Sequence, residues 1–292
     1  MKKKSLYRQV IPYLFLLPAF VMMAVFSYYA IGKALVNSFM NVRFGVIGEF
    51  VGLENYQRAF SDPVFKVSFI NQAVISGFAV FNSIFWPLLA AELLFFVKKG
   101  RFHDFLRFGF VVPMMVPSIV IILLWKYLYN PHFGFNSILN RIGLSDWTRN
   151  WLNEEQTALI SIVLIGFPFV SGMYFLIFHT GLNTLSADIN EAARIDGAAS
   201  LQIVTKIHLP NVKPYIKTVF TLSLISSLSG FGNVFATTGG GPGYSTMIPA
   251  LQMYQIAFGD GNFGYSSALG ILLMAVIVIV TILSRKLFGE ED

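Results

Sequence analysis

Long apolar segments alternate with short polar segments along the whole chain. Six apolar segments are long enough to cross the hydrocarbon core of a bilayer as helices, which takes about 20 residues. They cover residues about 11–36, 67–97, 105–129, 157–180, 215–238 and 266–288. The pattern therefore predicts an all-α membrane protein with six transmembrane helices in a single transmembrane domain over residues 1–292. Several segments contain proline, so neighbouring helices or polar side chains must satisfy the carbonyls that each proline frees.

The N-terminus begins like a secretory signal peptide, with Lys2, Lys3 and Lys4 before an apolar run. The apolar core of a signal peptide has about 7–15 residues, whereas this run continues to Ile31. We therefore expect an uncleaved first span.

Residues 188–210, which we call the polar hairpin, form the long polar stretch between the fourth and fifth spans. Asp188 and Glu191 make a D-x-x-E variant of the capping box, which predicts a helix start. Gly197 falls where a left-handed C-terminal cap is needed, because glycine adopts a positive φ without steric penalty.

A second short helix is predicted after this turn. Ser200 can cap it, and it should run to about Lys206. Pro210 and Pro214 are expected to prevent a longer helix. The prediction is a helix–turn–helix hairpin exposed to water between two spans.

The polar hairpin resembles the EAA loop of binding-protein-dependent ABC importer permeases of the maltose type. The pattern EAA, then x-x-D-G-A, then I-x-L-P is matched by Glu191, Ala192, Ala193, Asp196, Gly197, Ala198, Ile207, Leu209 and Pro210. The resemblance implies that the hairpin couples the chain to a separate ATPase and that Glu191 docks against basic residues there. Helix capping by Glu191 and Asp196, and an ordinary amphipathic loop helix, are the alternatives.

The composition supports a membrane protein. The chain is 55% hydrophobic and 12% charged, against about 25% charged in soluble domains. Its net charge of +6 is spread near the ends of the spans, so we expect lipid and no nucleic acid as a partner. The absence of cysteine excludes disulfides and cysteine-ligated metals.

The distribution of Lys and Arg predicts the orientation. Fourteen Lys and Arg residues lie in the N-terminal segment, the second and fourth connections and the C-terminal segment, or in the adjoining ends of the spans, against five in the other connections. The five are Arg43, Arg58, Lys66, Arg141 and Arg149. Cytoplasmic segments carry the excess of positive charge. We therefore expect both termini and the polar hairpin in the cytoplasm, and the resemblance implies that the membrane is a bacterial plasma membrane.

No motif for catalysis or nucleotide binding is present in the sequence. There is no Walker A pattern, and the four histidines lack zinc-ligand spacing. We predict a non-catalytic chain without metal or cofactor, and the resemblance implies that ATP and Mg²⁺ are bound by the partner ATPase.

One face of the fifth span is small and polar. Ser223, Ser226, Ser227 and Gly230 fall at positions i, i+3, i+4 and i+7. Such a face serves either close helix packing or the lining of a polar path. The resemblance implies the second role, because this span lines the translocation path in maltose-type permeases. It implies the same role for three residues of the fourth span, namely Gly166, Phe167 and Phe169.

Other polar residues are secondary candidates for the path. Asn71, Asn82 and Glu92 lie in the second span, and Glu92 has Lys98 or Lys99 as its simplest expected partner. The segment TTGGGPGYST, residues 237–246, cannot form a long helix, and it resembles the T-x-G-G-P segment of sugar-type permeases.

The resemblance implies a carbohydrate importer that works by alternating access, with a second homologous permease, two ATPase subunits and an external solute-binding protein. Glycerol phosphate is the alternative solute. Spans four and five contain no mid-depth Arg or Lys for a phosphate, which favours a neutral sugar. A stand-alone secondary transporter is the alternative class, although no strong internal repeat or carboxylate–histidine chain supports it.

Overall fold

The computed structural model describes residues 6–287, and helices make up most of this part of the chain. The α-helices are α1 (Leu6–Met23), α2 (Tyr29–Ser38), α3 (Glu54–Ser61), α4 (Pro63–Phe95), α5 (Arg101–Val111), α6 (Ser118–Leu128), α7 (Gly134–Arg141), α8 (Glu155–Val163), α9 (Gly172–Asn183), α10 (Ala187–Ile195), α11 (Ser200–Ile203), α12 (Leu209–Ser229), α13 (Gly232–Thr237), α14 (Pro249–Phe258) and α15 (Phe263–Leu287). Short π-helical turns join α1 to α2 (Ala24–Tyr28) and α11 to α12 (Val204–His208), and 3₁₀ turns cover Val112–Met115 and Ser145–Trp147.

The prediction of an all-α chain misses a β-hairpin. Strands β1 (Met40–Arg43) and β2 (Val46–Phe50) pair antiparallel, with a bulge between Met40 and Val42. The alternation of apolar and polar residues is too short here to stand out beside the neighbouring apolar helix.

Three of the six predicted spans are single helices that are long and apolar enough to cross a membrane. They are Ile11–Ser38, Pro63–Phe95 and Phe263–Ser284. The last residue of the predicted sixth span, Phe288, lies outside the described residues, as do Lys2, Lys3 and Lys4.

The other three predicted spans are broken. The third consists of Arg101–Met115 and Ser118–Leu128, which meet at 90°. Pro117 causes this break, because it lacks an N–H donor and its extended ψ of 135° ends the helical path. The fourth is interrupted between α8 and α9, and the fifth ends its main helix at Ser229. The prediction of a helix through each of these segments was wrong.

The backbone contacts divide the chain into two units. The first combines the residues up to Pro63 with Gln252–Ala275. Within it, Asp62 Oδ2 accepts hydrogen bonds from Gln252 Nε2 at 3.0 Å and from Tyr265 Oη at 2.9 Å. The guanidinium of Arg58 lies 4.2 Å above the ring of Tyr265. These contacts hold α3 against α14 and α15.

The second unit combines Val64–Leu251 with the residues from Val276 onward. Its core lies where α4, α9 and α12 pack together. The fully or nearly buried side chains there are Ala90, Ala91, Leu94, Phe175, Phe178, Leu182, Val212 and Val219. Gly181 of α9 allows the closest approach, because a Cβ at this position would come within 2.6–2.9 Å of the Tyr215 ring of α12.

We expect Gly181→Ala to weaken the packing of α9 against α12. The added methyl group must displace the Tyr215 ring, and overpacking of this kind costs about 1–3 kcal/mol. Thermal unfolding of the detergent-solubilised protein measures the loss. Gly77→Ala in α4 is the control, because a Cβ there meets nothing within 4 Å. Equal melting temperatures for the two variants would contradict the packing argument.

Candidate functional site

The first helix of the polar hairpin is α10, and it ends in a glycine turn. Gly197 has a φ of +81°. The Gly197 N–H donates to Arg194 O at 3.1 Å, and the Ala198 N–H donates to Ala193 O at 2.9 Å. This pair of bonds is the Schellman motif, and the left-handed C-terminal cap predicted at Gly197 is confirmed. The predicted D-x-x-E cap is wrong, because the N-cap residue is Ser186, which leaves Glu191 beyond the first turn.

The second helix of the hairpin is longer than predicted. Its N-cap residue is Ala199 rather than Ser200, and the Ala199 N–H donates to Gln202 Oε1 at 2.9 Å. From there α11, the π-turn and α12 follow one another without a break to Ser229. The π-turn widens the helix just before Pro210, where the proline ring would otherwise crowd the preceding turn. The prolines therefore do not end the helix.

The residues that match the EAA pattern divide by exposure. Glu191, Ala192, Asp196, Gly197 and Pro210 are exposed, whereas Ala193, Ala198, Ile207 and Leu209 are half-buried. The hairpin also exposes two large apolar side chains that the motif does not include, since Ile195 is 86% and Leu201 73% accessible. Apolar side chains with this exposure beside an exposed carboxylate fit a surface that binds another protein.

A buried polar network lies at the base of the polar hairpin. His208 Nδ1 is 2.7 Å from Glu92 Oε2 near the end of α4, and His208 Nε2 is 2.9 Å from Asn190 Oδ1 in α10. The side chain of His208 is fully buried. The expected pairing of Glu92 with Lys98 or Lys99 is wrong, because α4 ends at Phe95 and the histidine reaches the carboxylate instead.

The break between α8 and α9 shapes the wall of a cavity. Gly166 has a φ of +93° and Phe169 a φ of +62°, and the Phe167–Pro168 peptide bond is cis. The rings of Phe167 and Phe169 meet edge to face at 5.4 Å. In a membrane-spanning segment, irregular backbone of this kind is tolerated only where protein or a polar cavity surrounds it.

The cavity has a volume of about 900 Å³ and lies within the second unit. All seven residues predicted for the solute path line it, namely Gly166, Phe167, Phe169, Ser223, Ser226, Ser227 and Gly230. Gly230 is the C-cap residue of α12 rather than part of its helical face. The hydroxyl groups of Ser223 and Ser227 donate to Phe220 O and Leu224 O.

The lining of the cavity is mostly apolar, with polar side chains set among the aromatic and aliphatic ones and without charge. None of the described residues that line it is Asp, Glu, Lys, Arg or His. Side-chain amides come from Asn82 and Asn233, and aromatic rings come from Phe78, Trp125 and Tyr174. Amides and hydroxyls bind the hydroxyl groups of a solute, and aromatic rings cover its apolar faces. This lining therefore fits a neutral, hydroxylated molecule.

The sequence reasoning missed several of these lining residues. Trp125, Ser171 and Tyr174 lie beside the broken helices that it treated as continuous. Two features of the sequence indicated these breaks, namely the prolines at 113 and 117 and the Gly166–Phe169 segment. Asn71 also has a structural role, because its Nδ2 donates to Tyr244 O at 3.2 Å and to Met247 O at 2.9 Å. It thereby holds the turn formed by residues 237–246.

Residues 83–289 match the family model described as "Binding-protein-dependent transport system inner membrane component". This match covers more than half of the chain and includes the polar hairpin and most of the residues that line the cavity.

Two curated relatives and one solved structure extend the similarity to nearly the full length. A probable ABC transporter permease protein of Pyrococcus horikoshii is 32% identical, over 96% of this chain and 98% of that protein. The arabinooligosaccharides transport system permease protein AraP of Bacillus subtilis is 30% identical, over 97% and 90%. A chain of a bacterial ABC transporter involved in the import of the acidic polysaccharide alginate shares the fold, with a TM-score of 0.86, 19% identity and coverage of 98% and 97%.

Proposed function

Because the chain belongs to the family of binding-protein-dependent transport system inner membrane components, we propose that it is the permease subunit of a bacterial ABC importer for a neutral carbohydrate. The cavity carries this proposal for the solute, since its uncharged lining combines serine hydroxyls, side-chain amides and aromatic rings. The relative AraP, named for arabinooligosaccharides, supports the same class.

The absence of charge in the cavity favours a neutral sugar over glycerol phosphate as the proposed solute. A phosphate carries about −1.5 to −2 charge at pH 7 and requires cationic or dipolar partners in a site without water. The described residues that line the cavity supply no cationic side chain. A sugar needs only hydrogen bonds and apolar contact.

For the topology, we propose six crossings with both termini and the polar hairpin in the cytoplasm. The excess of Lys and Arg in those segments supports this orientation. The bent third segment and the interrupted fourth and fifth segments count as crossings in this proposal, because broken helices beside a solute cavity are a feature of transporters. The chain then belongs in the bacterial plasma membrane.

The polar hairpin is the proposed contact with an ATPase subunit. Glu191, Ile195 and Leu201 are all exposed on it and offer one charge and two apolar anchors. ATP and Mg²⁺ would be bound by two ATPase subunits, and a homologous second permease and an external solute-binding protein would complete the importer. Movement of the hairpins on closure of the ATPase dimer would open the cavity alternately to each side.

The experiment that tests this function is purification of the tagged chain from its native host in mild detergent. We expect mass spectrometry to identify an ATPase and a second permease in the complex. Proteoliposomes containing this complex and the binding protein encoded beside it should take up a neutral sugar only when ATP is supplied on the side of the membrane that carries the ATPase subunits. A chain that is purified alone and transports without ATP would contradict the proposal and favour a secondary transporter.

A further inference from the structure

The imidazole of His208 joins three segments, because residues of α4 and α10 hold it against its own segment at the start of α12. Glu92 from α4 and Asn190 from α10 bind its two nitrogens. The Phe95 ring meets its edge at 4.7 Å, and the Phe96 ring stacks beside it at 5.9 Å. These contacts leave the ring fully buried and fix its orientation as well as its position.

Stability alone does not account for this arrangement. Well-packed apolar side chains of similar volume commonly hold segments together as well as a buried ion pair, because they avoid the cost of desolvating charge. Here two further polar atoms, Glu92 Oε1 and Asn190 Nδ2, are buried without a partner among the described residues. Hydrogen bonds are directional, so they define the orientation of each segment relative to the others, which apolar packing alone does not do.

The three segments are also those that connect the polar hairpin to the cavity. Asn190 directly precedes Glu191 on the exposed hairpin. His208 directly precedes α12, which carries Ser223, Ser226 and Ser227 of the cavity wall. Glu92 lies on α4, which carries Phe78 and Asn82 of the same wall.

We propose that Glu92, Asn190 and His208 are positioning residues that transmit movement of the polar hairpin to the cavity wall. This rests on the proposed function. Through His208, a displacement of α10 moves α4 and α12 together, so that both walls of the cavity change in step with the ATPase.

The test uses the complete importer in proteoliposomes, with sugar uptake and ATP hydrolysis measured on the same samples. In His208→Gln, one side chain can no longer bridge both partners. We expect sugar imported per ATP to fall about fivefold or more, a typical size for lost coupling between sites. Assembly, and basal ATP hydrolysis measured without the binding protein, should stay within about twofold, because neither requires movement to pass between the hairpin and the cavity wall.

His179→Gln is the matched control. His179 is also a buried imidazole, but its side-chain hydrogen bond is to Asn183 of its own helix. Its ring lies 5.9 Å from that of His103 in α5, so its loss removes a ring contact but no hydrogen bond between segments. Glu92→Gln and Asn190→Ala provide independent breaks of the same network. The Glu92→Gln and His208→Gln double variant should lower the ratio no further than His208→Gln alone, because the histidine substitution already removes the interaction with Glu92.

The inference would be overturned by an unchanged ratio in the assembled variants or by an equal fall in His179→Gln. It would also be overturned if basal hydrolysis fell together with uptake. Failure of all three single variants to assemble would likewise overturn it, and would assign the network to folding. A wild-type complex without ATP-driven uptake would instead contradict the proposed function.

Discussion

Reversing the charge of Glu191 is expected to remove the ATPase from the purified complex. Glu191 is exposed in α10 and does not cap the helix, so its carboxylate is free of a role in the N-terminal turn. Placing a lysine against a basic docking surface replaces attraction by repulsion and leaves interface charges unpaired. If Glu191 is one of the few residues that carry most of the binding energy, the loss reaches about 2 kcal/mol or more, so recovery of the ATPase should fall at least tenfold. Quantitative mass spectrometry of the Glu191→Lys complex measures the ratio of ATPase to permease.

Leu201→Asp tests the apolar part of the same surface. With 73% of its side chain accessible, Leu201 can be replaced without opening a core. Asp146→Lys is the matched charge-reversal control, because Asp146 is an exposed carboxylate in the loop between α7 and α8. Normal recovery of the ATPase with Glu191→Lys and Leu201→Asp would mean that the hairpin is not the docking surface.

A charge placed in the cavity should block import of a neutral sugar. Ser226 lines the cavity with its side chain accessible, so Ser226→Glu adds a carboxylate that the lining residues do not neutralise. Charge at the depth of a membrane costs about 2.5–3.5 kcal/mol, and the hydration water that it retains must be displaced by the solute. We expect uptake to fall at least about tenfold, while assembly of the complex is retained.

Ser226→Gln separates charge from size. Glutamine has nearly the same shape as glutamate, and we expect it to lower uptake no more than about threefold because its amide hydrogen-bonds without charge. ATP-driven uptake of the cognate sugar by proteoliposomes is the measurement. If both substitutions lower uptake equally, the effect is steric, and the argument from an uncharged cavity fails.

Local signals along the chain predicted those parts of the molecule that depend on local chemistry. Gly197 forms the turn of the hairpin because the requirement for a positive φ is a property of a few neighbouring residues. The seven path residues converge on one cavity for a related reason. Helical spacing places the serines on one face, and the Gly166–Phe169 segment combines residues that favour a break.

Long-range contacts account for what the sequence reasoning missed. The partner of Glu92 is 116 residues away along the chain, and a nearby lysine was the simpler choice only in the absence of the fold. The helix through Pro210 and Pro214 continues because a π-turn and packing against α9 compensate for the prolines. Propensity is a weak guide where tertiary packing decides. The short helix α14 and the β-hairpin are likewise fixed by contacts rather than by periodicity.

The length of the π-turn at Val204–His208 also determines how far α12 is rotated about its own axis. Each residue of an α-helix advances the chain by about 100°, so one residue more or fewer in this turn rotates everything beyond it by about that angle. The face that carries Ser223, Ser226 and Ser227 points into the cavity only because the turn has its present length. Substitutions on either side change the strength of a contact, whereas the length of this turn determines which side of α12 the solute meets.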